Sequence, residues 1–377
     1  MKRIFKTISV IITLICLVIF GTFNAKAEDQ NHILTSNKMW GKDALLTGNV
    51  TFDLNGYTLY NTNFIVEPGA TLTIKDSKGT GKFEGSSSLG TSLILVKSGG
   101  TLILESGTIT GNTTSNGAAI SIKSNANFIM NGGKITNNTA TSNGGAIYLD
   151  GLSSAAPAYF TMNGGTISEN KAVLGGAIYS SDFANITLNG GTISSNVSTK
   201  NGGAIYLGGN DRFTFERGNI TNNKIETTST ISTSGNGAGI YVGALSFFYM
   251  NNGSITNNIT PNRGGGVFVA YSGTMNFKGG LISYNESRYG AGIYNDVGTL
   301  YLNNDAIAFS NKNDNVYLNK STITILENTT FKGKIGISTN KAPTSSNSIP
   351  VINILPTGSV SESAEISSDN NLYKLCL

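Results

Sequence analysis

Two short motifs alternate over residues 106–304 and constrain the fold more than any other feature of the sequence. The first reads Asn-Gly-Gly-x-Ile-Thr/Ser-x-Asn, and its isoleucines recur at a spacing of 26 to 27 residues that two insertions interrupt. The second reads Gly-Gly-Ala-Ile-Tyr and follows the first by 11 or 12 residues where nothing is inserted. A fixed period of this length is typical of stacked supersecondary units, so the chain is predicted to form a solenoid.

Each repeat consists of short alternating apolar segments separated by Gly-Gly and Asn, without an apolar pattern long enough for a helix. The sequence does not fit propeller blades, which need about 40 residues, or leucine-rich repeats, which need a regular Leu spacing. The pattern predicts an all-β chain folded as a right-handed parallel β-helix of about ten rungs. We expect Gly-Gly at the rung corners, where the backbone needs positive φ.

The ends of the chain differ from the repeats. Residues 1–27 combine a basic start, an apolar run and an Ala-x-Ala end, which predicts a cleaved secretory signal peptide. We expect an N-terminal cap over residues 28–49, the β-helix over 50–318, and a strand-rich C-terminal tail or cap over 319–377. The mature chain is therefore expected to be extracellular or on the cell surface, without a membrane span.

Cysteine usage agrees with stabilisation by burial and hydrogen bonding alone. Cys16 lies in the predicted signal peptide and would leave with it. Cys376 then remains as a single thiol, which cannot form an internal disulfide.

The last asparagine of the first motif recurs three residues after each motif isoleucine. Stacking at the repeat period would align these side chains in one column, where each amide can bond the rungs above and below. We interpret the column as structural rather than ligand-binding. The predicted Asn ladder comprises Asn112, Asn138, Asn170, Asn196, Asn223, Asn258 and Asn285.

An aromatic residue follows the Ile or Val of each copy of the second motif. These residues are Tyr148, Tyr179, Tyr206, Tyr241, Phe268 and Tyr294. If the isoleucines point inward, strand alternation sends the rings outward, where they could form a platform for sugar rings. The opposite orientation would make them a stack in the core. The column is the candidate ligand platform, with a purely structural ladder as the alternative.

The net charge argues against a polyanionic partner. The 26 Lys and Arg against 22 Asp and Glu give a formal +4. Four of the basic residues precede Glu28 and every acid lies at or beyond it, so the mature chain is balanced. Without a Lys/Arg excess, neither nucleic-acid binding nor polybasic membrane attachment is expected.

Two insertions, over residues 150–158 and 224–234, interrupt the period. In a solenoid such insertions form protruding loops, which serve either in recognition or as surface decoration.

No catalytic, metal or cofactor site is expected from the residues. Glycosidic hydrolysis needs two carboxylates at a set distance, and a lyase needs acidic calcium ligands with a basic proton acceptor. The carboxylates of Glu169 and Asp150 do not recur at the same phase of neighbouring rungs, and His32 is the only histidine. Asp182 and Arg212 are isolated charges in the sequence. They could belong to a site only if the fold brought distant parts of the chain together.

The Gly-Gly-Ala-Ile copies at 144–147, 175–178 and 202–205, together with Ile-x-x-Asn at 167–170, resemble the repeats of chlamydial-type polymorphic outer membrane proteins. That resemblance implies a right-handed, pectin-lyase-like parallel β-helix used as a surface adhesin, associated with the outer membrane if the host is Gram-negative. It also implies host or matrix glycans or surface proteins as partners.

The chain is therefore interpreted as a secreted or surface-displayed, non-catalytic adhesin. The alternative is a β-helix carbohydrate-active enzyme, either a polysaccharide lyase or a glycoside hydrolase, because the same fold serves both. A third hypothesis, an ice-binding solenoid, needs a flat Thr-x-Thr array that the sequence is not expected to provide.

Overall fold

The computed structural model describes residues 30–227, 234–341 and 348–369. All the regular secondary-structure elements in these ranges are β-strands. The predicted signal peptide, Cys16 and Cys376 lie outside the described residues. Each strand pairs in parallel with its equivalent in the preceding and following rungs, so the strands form sheets that run the length of a solenoid.

Sheet 1 contains the strands of the Gly-Gly-Ala-Ile-Tyr motif. In rung order its strands are Ala44–Leu46, Phe64–Val66, Ile94–Val96, Ile120–Lys123, Ile147–Asp150, Ile178–Ser180, Ile205–Gly209, Ile240–Ala244, Val267–Val269, Ile293–Asp296, Val316–Asn319 and the end of Lys334–Thr339.

Sheet 2 follows sheet 1 in each rung and has longer alternating strands. They are Gln30–Ile33, Asn49–Asp53, Thr71–Lys75, Thr101–Leu104, Asn127–Met130, Ala158–Met162, Ala184–Leu188, Arg212–Phe215, Phe247–Met250, the first parts of Thr274–Ser283 and Thr299–Ala308, Ile323–Ile325 and Ile352–Ile354.

Sheet 3 carries the motif isoleucines. Its strands are Thr58–Tyr60, Lys82–Glu84, Thr108–Thr110, Lys134–Thr136, Thr166–Ser168, Thr192–Ser194, Asn219–Thr221, Ser254–Thr256, the last parts of Thr274–Ser283 and Thr299–Ala308, the start of Lys334–Thr339, and Glu365–Ser368. Thr330–Phe331 and Ser359–Val360 pair at the neighbouring corner.

A short fourth sheet follows sheet 3 in the middle rungs. It comprises Thr113–Asn116, Thr139–Asn143, Lys171–Leu174, Val197–Asn201 and Lys224–Ile225. Single bridges at Ile259, Glu286 and Lys312 continue it.

The architecture is an all-β parallel solenoid of about eleven rungs, which confirms the predicted fold class with about one rung more than expected. Its right-handed winding stays a prediction. Strands from both ends of the described chain, Gln30–Ile33 and Glu365–Ser368, pair into the same sheets as the repeats.

The core is a set of apolar columns that run parallel to the solenoid axis. Ile135, Ile167 and Ile193 pair in register from rung to rung and are at most 1% exposed. Phe128 and Phe160 stack in the same way, with ring centroids 4.9 Å apart. Because each strand alternates between inward and outward side chains, one apolar residue in two is enough to fill this interior.

The two glycines of the second motif have different roles. The first has positive φ at each corner, as at Gly144 (65°), Gly175 (63°) and Gly202 (64°), which confirms the expectation for this position. The second lies where the backbones of neighbouring rungs meet. A Cβ added at Gly203 would overlap the carbonyl oxygen of Ala238 in the next rung.

We expect Gly203→Ala to lower the free energy of unfolding by roughly 1–3 kcal/mol or more, because the Cβ forces two backbones apart. Gly209→Ala is the matched control. The nearest atom to its added Cβ is 3.5 Å away and its φ is not in the left-handed region, so its stability should stay close to that of the wild type. Thermal unfolding followed by circular dichroism measures both, and equal midpoints for the two variants would contradict the packing argument.

Candidate functional site

The predicted Asn ladder is a continuous hydrogen-bonded column in the interior. The backbone N–H of Asn196 donates to Oδ1 of Asn223 at 3.0 Å. Its Nδ2 lies 3.0 Å from the same oxygen and donates to the carbonyl groups of Ile167 and Ser194. The pattern repeats with small variations from Asn112 to Asn285, and these side chains are fully buried.

Sequence reasoning missed how the ladder ends. The column continues through Asn311 to Asn315, outside the regular repeats. There the N–H and Nδ2 of Asn315 donate to the two carboxylate oxygens of Asp369, at 2.7 and 2.6 Å. Burial raises the pKa of Asp369, and the hydrogen bonds from Asn315 oppose that rise.

A second amide ladder lies on the outside of the corner between sheets 2 and 3. The Nδ2 of Asn189 donates to Oδ1 of Asn163 at 2.9 Å, and Asn163 donates to Asn131 at 2.8 Å. Asn131 in turn donates to the carboxylate of Glu105 at 2.9 Å. The first asparagine of each Asn-Gly-Gly motif was the available signal, and its fixed place in the repeat could have predicted this ladder.

The residue before each buried ladder Asn occupies a left-handed corner. Glu169 lies here with φ 58°, and Thr136 Oγ1 donates to its carboxylate at 3.3 Å. The corresponding residues of the other rungs are Gly111, Asn137, Ser195, Asn222, Asn257, Tyr284 and Ser310. Glu169 is therefore at a structural corner without a second carboxylate at the same position in these rungs.

The two amide ladders allow a matched test of burial. Asn196→Ala removes an acceptor that serves Asn170 and the donors that serve Ile167 and Ser194, so we expect a loss of at least about 3 kcal/mol of stability. Asn189→Ala removes an exposed bond and should cost less than about 1 kcal/mol. Chemical denaturation at one pH compares them. A similar loss of stability in both variants would mean that burial does not determine how much a ladder hydrogen bond contributes to stability.

The aromatic column faces outward. Ile147 and Leu149 are fully buried on either side of Tyr148, so strand alternation places the ring on the outer surface of sheet 1. Neighbouring ring centroids are 4.6 to 5.5 Å apart and the ring planes lie within 11° of parallel. The structure thus brings together all the predicted residues, Tyr148, Tyr179, Tyr206, Tyr241, Phe268 and Tyr294, and adds Tyr317.

Exposure of this ring ladder changes along the axis. Tyr148, Tyr179, Tyr206 and Tyr241 are partly exposed, whereas Tyr294 is only 3% exposed, beneath the guanidinium group of Arg263 at 5.1 Å. Burial raises the pKa of both Tyr179 and Tyr294 to about 12, so these two phenols are uncharged at neutral pH. The four N-terminal rings therefore form a continuous run that a ligand can reach, and Tyr317 at the other end is also partly exposed.

A buried carboxyl group lies behind this ladder. Asp211 is fully buried and accepts hydrogen bonds from Ser180 Oγ at 2.6 Å and from the N–H of Ala184 at 2.8 Å. Burial raises the pKa of Asp211 to about 6, although these bonds oppose the rise. The sequence contained no pattern for this residue, because its burial follows from the local path of the corner between sheets 1 and 2.

The remaining charged candidates, Asp182, Arg212 and His32, contact different partners. Asp182 accepts from Asn210 Nδ2 at 3.0 Å, while the Arg212 guanidinium stacks on Tyr249 at 4.4 Å from the ring centroid. His32 packs against Trp40 at one end of the solenoid, and burial lowers the pKa of its imidazole. Among the described residues, no three His, Cys, Asp or Glu side chains are grouped so as to hold a metal ion.

The insertions and the outer face of sheet 3 add two further surfaces. Within the first insertion, 150–158, residues 151–157 form a loop in which Leu152 is strongly exposed, and the two end residues belong to strands. Residues 228–233 of the second insertion lie outside the described residues. On sheet 3, Thr108 and Thr110 flank the inward Ile109, but the neighbouring strands do not repeat this Thr-x-Thr pair. Exposed Lys134 interrupts the array in the next rung, which leaves the surface uneven.

Asp211 should make stability depend on pH. Its folded pKa of about 6 exceeds the unfolded value of about 3.9, so the stabilising contribution is present at low pH and falls by at most about 3 kcal/mol as the pH rises from about 4 through 6. Asp211→Asn keeps an acceptor for Ser180 and Ala184 and should flatten this dependence. Thermal midpoints from pH 4 to 7.5 test it, with Asp182→Asn as the partly exposed control. An unchanged slope in Asp211→Asn would refute the assignment.

Comparisons with known proteins agree with the repeat pattern. Residues 134–150 and 186–208 match the model of the Chlamydia polymorphic membrane protein (Chlamydia_PMP) repeat. The chain carries repeats similar to those of this family. The match includes the Gly-Gly-Ala-Ile copies at 144–147 and 202–205, so the resemblance inferred from these residues is confirmed.

The other comparisons add little. No curated protein matches the chain. The crystal structure of the TibC-catalysed hyper-glycosylated TibA fragment 55–350 aligns with 90% of this chain and 100% of the fragment, at 14% identity and a TM-score of 0.21. A score this low carries no argument. In the part of the chain that the structure describes, none of the elements is a helix with the length and hydropathy of a membrane span.

Proposed function

We propose that the chain is an exported, non-catalytic adhesin that binds host or matrix glycans or surface proteins on the outer faces of its solenoid. The observation that carries the proposal is the accessible half of the ring ladder, where Tyr148, Tyr179 and Tyr206 stack at 5.5 and 5.1 Å. The similarity of the repeats to those of polymorphic membrane proteins supports a location at the cell surface or outer membrane.

The ring ladder is suited to binding because it is already ordered. Each internal ring is held by a ring above and a ring below, with planes only 9° apart for Tyr148 and Tyr179. A ligand that contacts such a column immobilises few additional rotamers, so less of the contact energy is lost to side-chain ordering. Aromatic surfaces with a few polar groups are also common in binding sites for small molecules and sugars.

Two observations support the non-catalytic part of the proposal. Asp211 has a pKa near neutrality, as a general acid would, but it is fully buried and bonded to Ser180 and Ala184, out of reach of a polymer substrate. Asp369, which among the described residues is the other carboxyl with a raised pKa, bonds the end of the buried Asn ladder. A carbohydrate-active enzyme of this fold would instead release product from its substrate.

The test incubates the predicted mature chain, residues 28–377, with plant, microbial and animal polysaccharides and with cultured cells, and measures both retained protein and released products. We expect retention without product, and at least a tenfold weaker affinity for Tyr179→Ala/Tyr206→Ala. Tyr206→Phe is the matched control, because it keeps the stacked ring as Phe268 does.

The thermal midpoints of the variants establish that they are folded. Retention that the alanine variant leaves unchanged would refute the ring ladder as the platform. Product release by the wild type would refute the non-catalytic assignment and favour the polysaccharide lyase or glycoside hydrolase.

A further inference from the structure

The outer face of sheet 2 contains a second aromatic surface, separate from the ring ladder on sheet 1. At the first outward position of these strands most rungs have Thr or Asn. Tyr159, Arg212 and Phe247 depart from this rule, and with Asn185 they occupy paired positions on four consecutive strands. Tyr249 lies two residues beyond Phe247 on the same strand. We refer to these five residues as the sheet 2 patch. With strands about 4.8 Å apart, its four rungs span about 14 Å.

The rings of the sheet 2 patch are open to solvent. Phe247 is 43% exposed and Tyr159 is 37% exposed. Phe248 and Met250 are fully buried in the core, so alternation directs both Phe247 and Tyr249 outward. Their ring centroids are 6.3 Å apart and their planes differ by 14°, so they present adjoining and nearly parallel aromatic surfaces.

Arg212 supplies a positive charge at the same place. Its guanidinium lies over the Tyr249 ring, 4.4 Å from the ring centre, in a cation–π contact. The side chain is exposed, and none of the ion pairs among the residues that the structure describes involves it. An exposed guanidinium can donate two parallel hydrogen bonds to a carboxylate.

The adjacent corner extends the apolar surface. Leu245 is 56% exposed and has φ 59°, a left-handed conformation that disfavours side chains other than Gly, Asn and Asp. Its N–H bonds the carbonyl of Ser272 in the next rung, beside Tyr271, which is 70% exposed. The corner residues of the neighbouring rungs, Asn210, Ser272 and Val297, have the same left-handed φ, so this conformation belongs to the repeat. Leu245 contributes exposed apolar area beside the patch.

We propose that the sheet 2 patch binds a glycan that carries carboxylate groups. Sugar faces would pack on Phe247 and Tyr249, a carboxylate would pair with Arg212, and the amide of Asn185 would bond a hydroxyl group. Charge complementarity selects an acidic glycan over a neutral one, because Arg212 forms no ion pair with any acidic residue that the structure describes. The inference rests on the proposed adhesin function for its setting, but it concerns a different face of the solenoid.

The test measures binding of the full chain to polygalacturonate, to its fully methyl-esterified form and to dextran sulfate, at several salt concentrations. We expect Arg212→Gln to weaken binding to polygalacturonate at least tenfold and to change binding to the esterified polymer little. Phe247→Ala/Tyr249→Ala should weaken binding to both. Tyr60→Ala, which removes an exposed ring from sheet 3, is the matched control and should bind as the wild type.

Unchanged affinity in the Arg212 or Phe247/Tyr249 variants, or no binding of the folded wild type to polygalacturonate, would overturn the proposal. The proposal would also be overturned if dextran sulfate bound as tightly as polygalacturonate and did so independently of Phe247 and Tyr249. The patch would then attract any polyanion through its positive charge alone. Adhesion to cells that depends on Tyr179 and Tyr206 would be unaffected by these outcomes, so failure here and failure of the adhesin proposal can be told apart.

Discussion

The structure depends on the buried column of asparagine amides. A rung corner exposes backbone carbonyl and N–H groups to an apolar interior, where an unpaired polar group costs roughly 1–3 kcal/mol. The ladder amides bond groups in neighbouring rungs. Asn196 bonds Ile167 and Asn170 in the preceding rung, Ser194 in its own rung and Asn223 in the following rung. The left-handed residue before each ladder Asn, such as Ser195 with φ 56°, turns the chain so that the amide points inward. Regular stacking of the apolar columns then follows, because the rungs from Asn112 to Asn311 are held at the same corner.

Both amide ladders end on a carboxylate, and they run in opposite directions. In the buried ladder the amide-to-amide hydrogen bonds point toward the C-terminal end, as from Asn196 to Asn223, and the last acceptor is Asp369. In the outer ladder Asn189, Asn163 and Asn131 donate toward the N-terminal end, and the last acceptor is Glu105. A chain of aligned amides polarises its members, so an anionic acceptor at the receiving end strengthens the terminal bond. This gives the segment 348–369 a role in closing the buried ladder, which its sequence alone did not indicate.

The same regularity leaves the outer faces free to differ. Since inward positions are filled by Ile, Leu, Phe and Met columns, substitutions on the outward rows change little in the core. Sheet 1 uses this freedom for a ring ladder, whereas sheet 2 concentrates aromatic and cationic side chains around Arg212, Phe247 and Tyr249. Periodicity made the first surface predictable. The second occurs once, at residues that hold no fixed place in the motifs, so no pattern distinguished Arg212 from an isolated charge.

The sequence by itself determined the parallel solenoid, the membership of the ring ladder and the alignment of the buried asparagines, because these properties repeat with the period and each copy reports the same environment. It left the orientation of the tyrosines open, since Ala and Tyr share one parity along the strand and either face could be inside. Only the tertiary structure decided that, and only it revealed the burial of Asp211 and the pairing of Asn315 with Asp369. These features arise from contacts between rungs or across 54 residues of chain, where no local spacing carries the information.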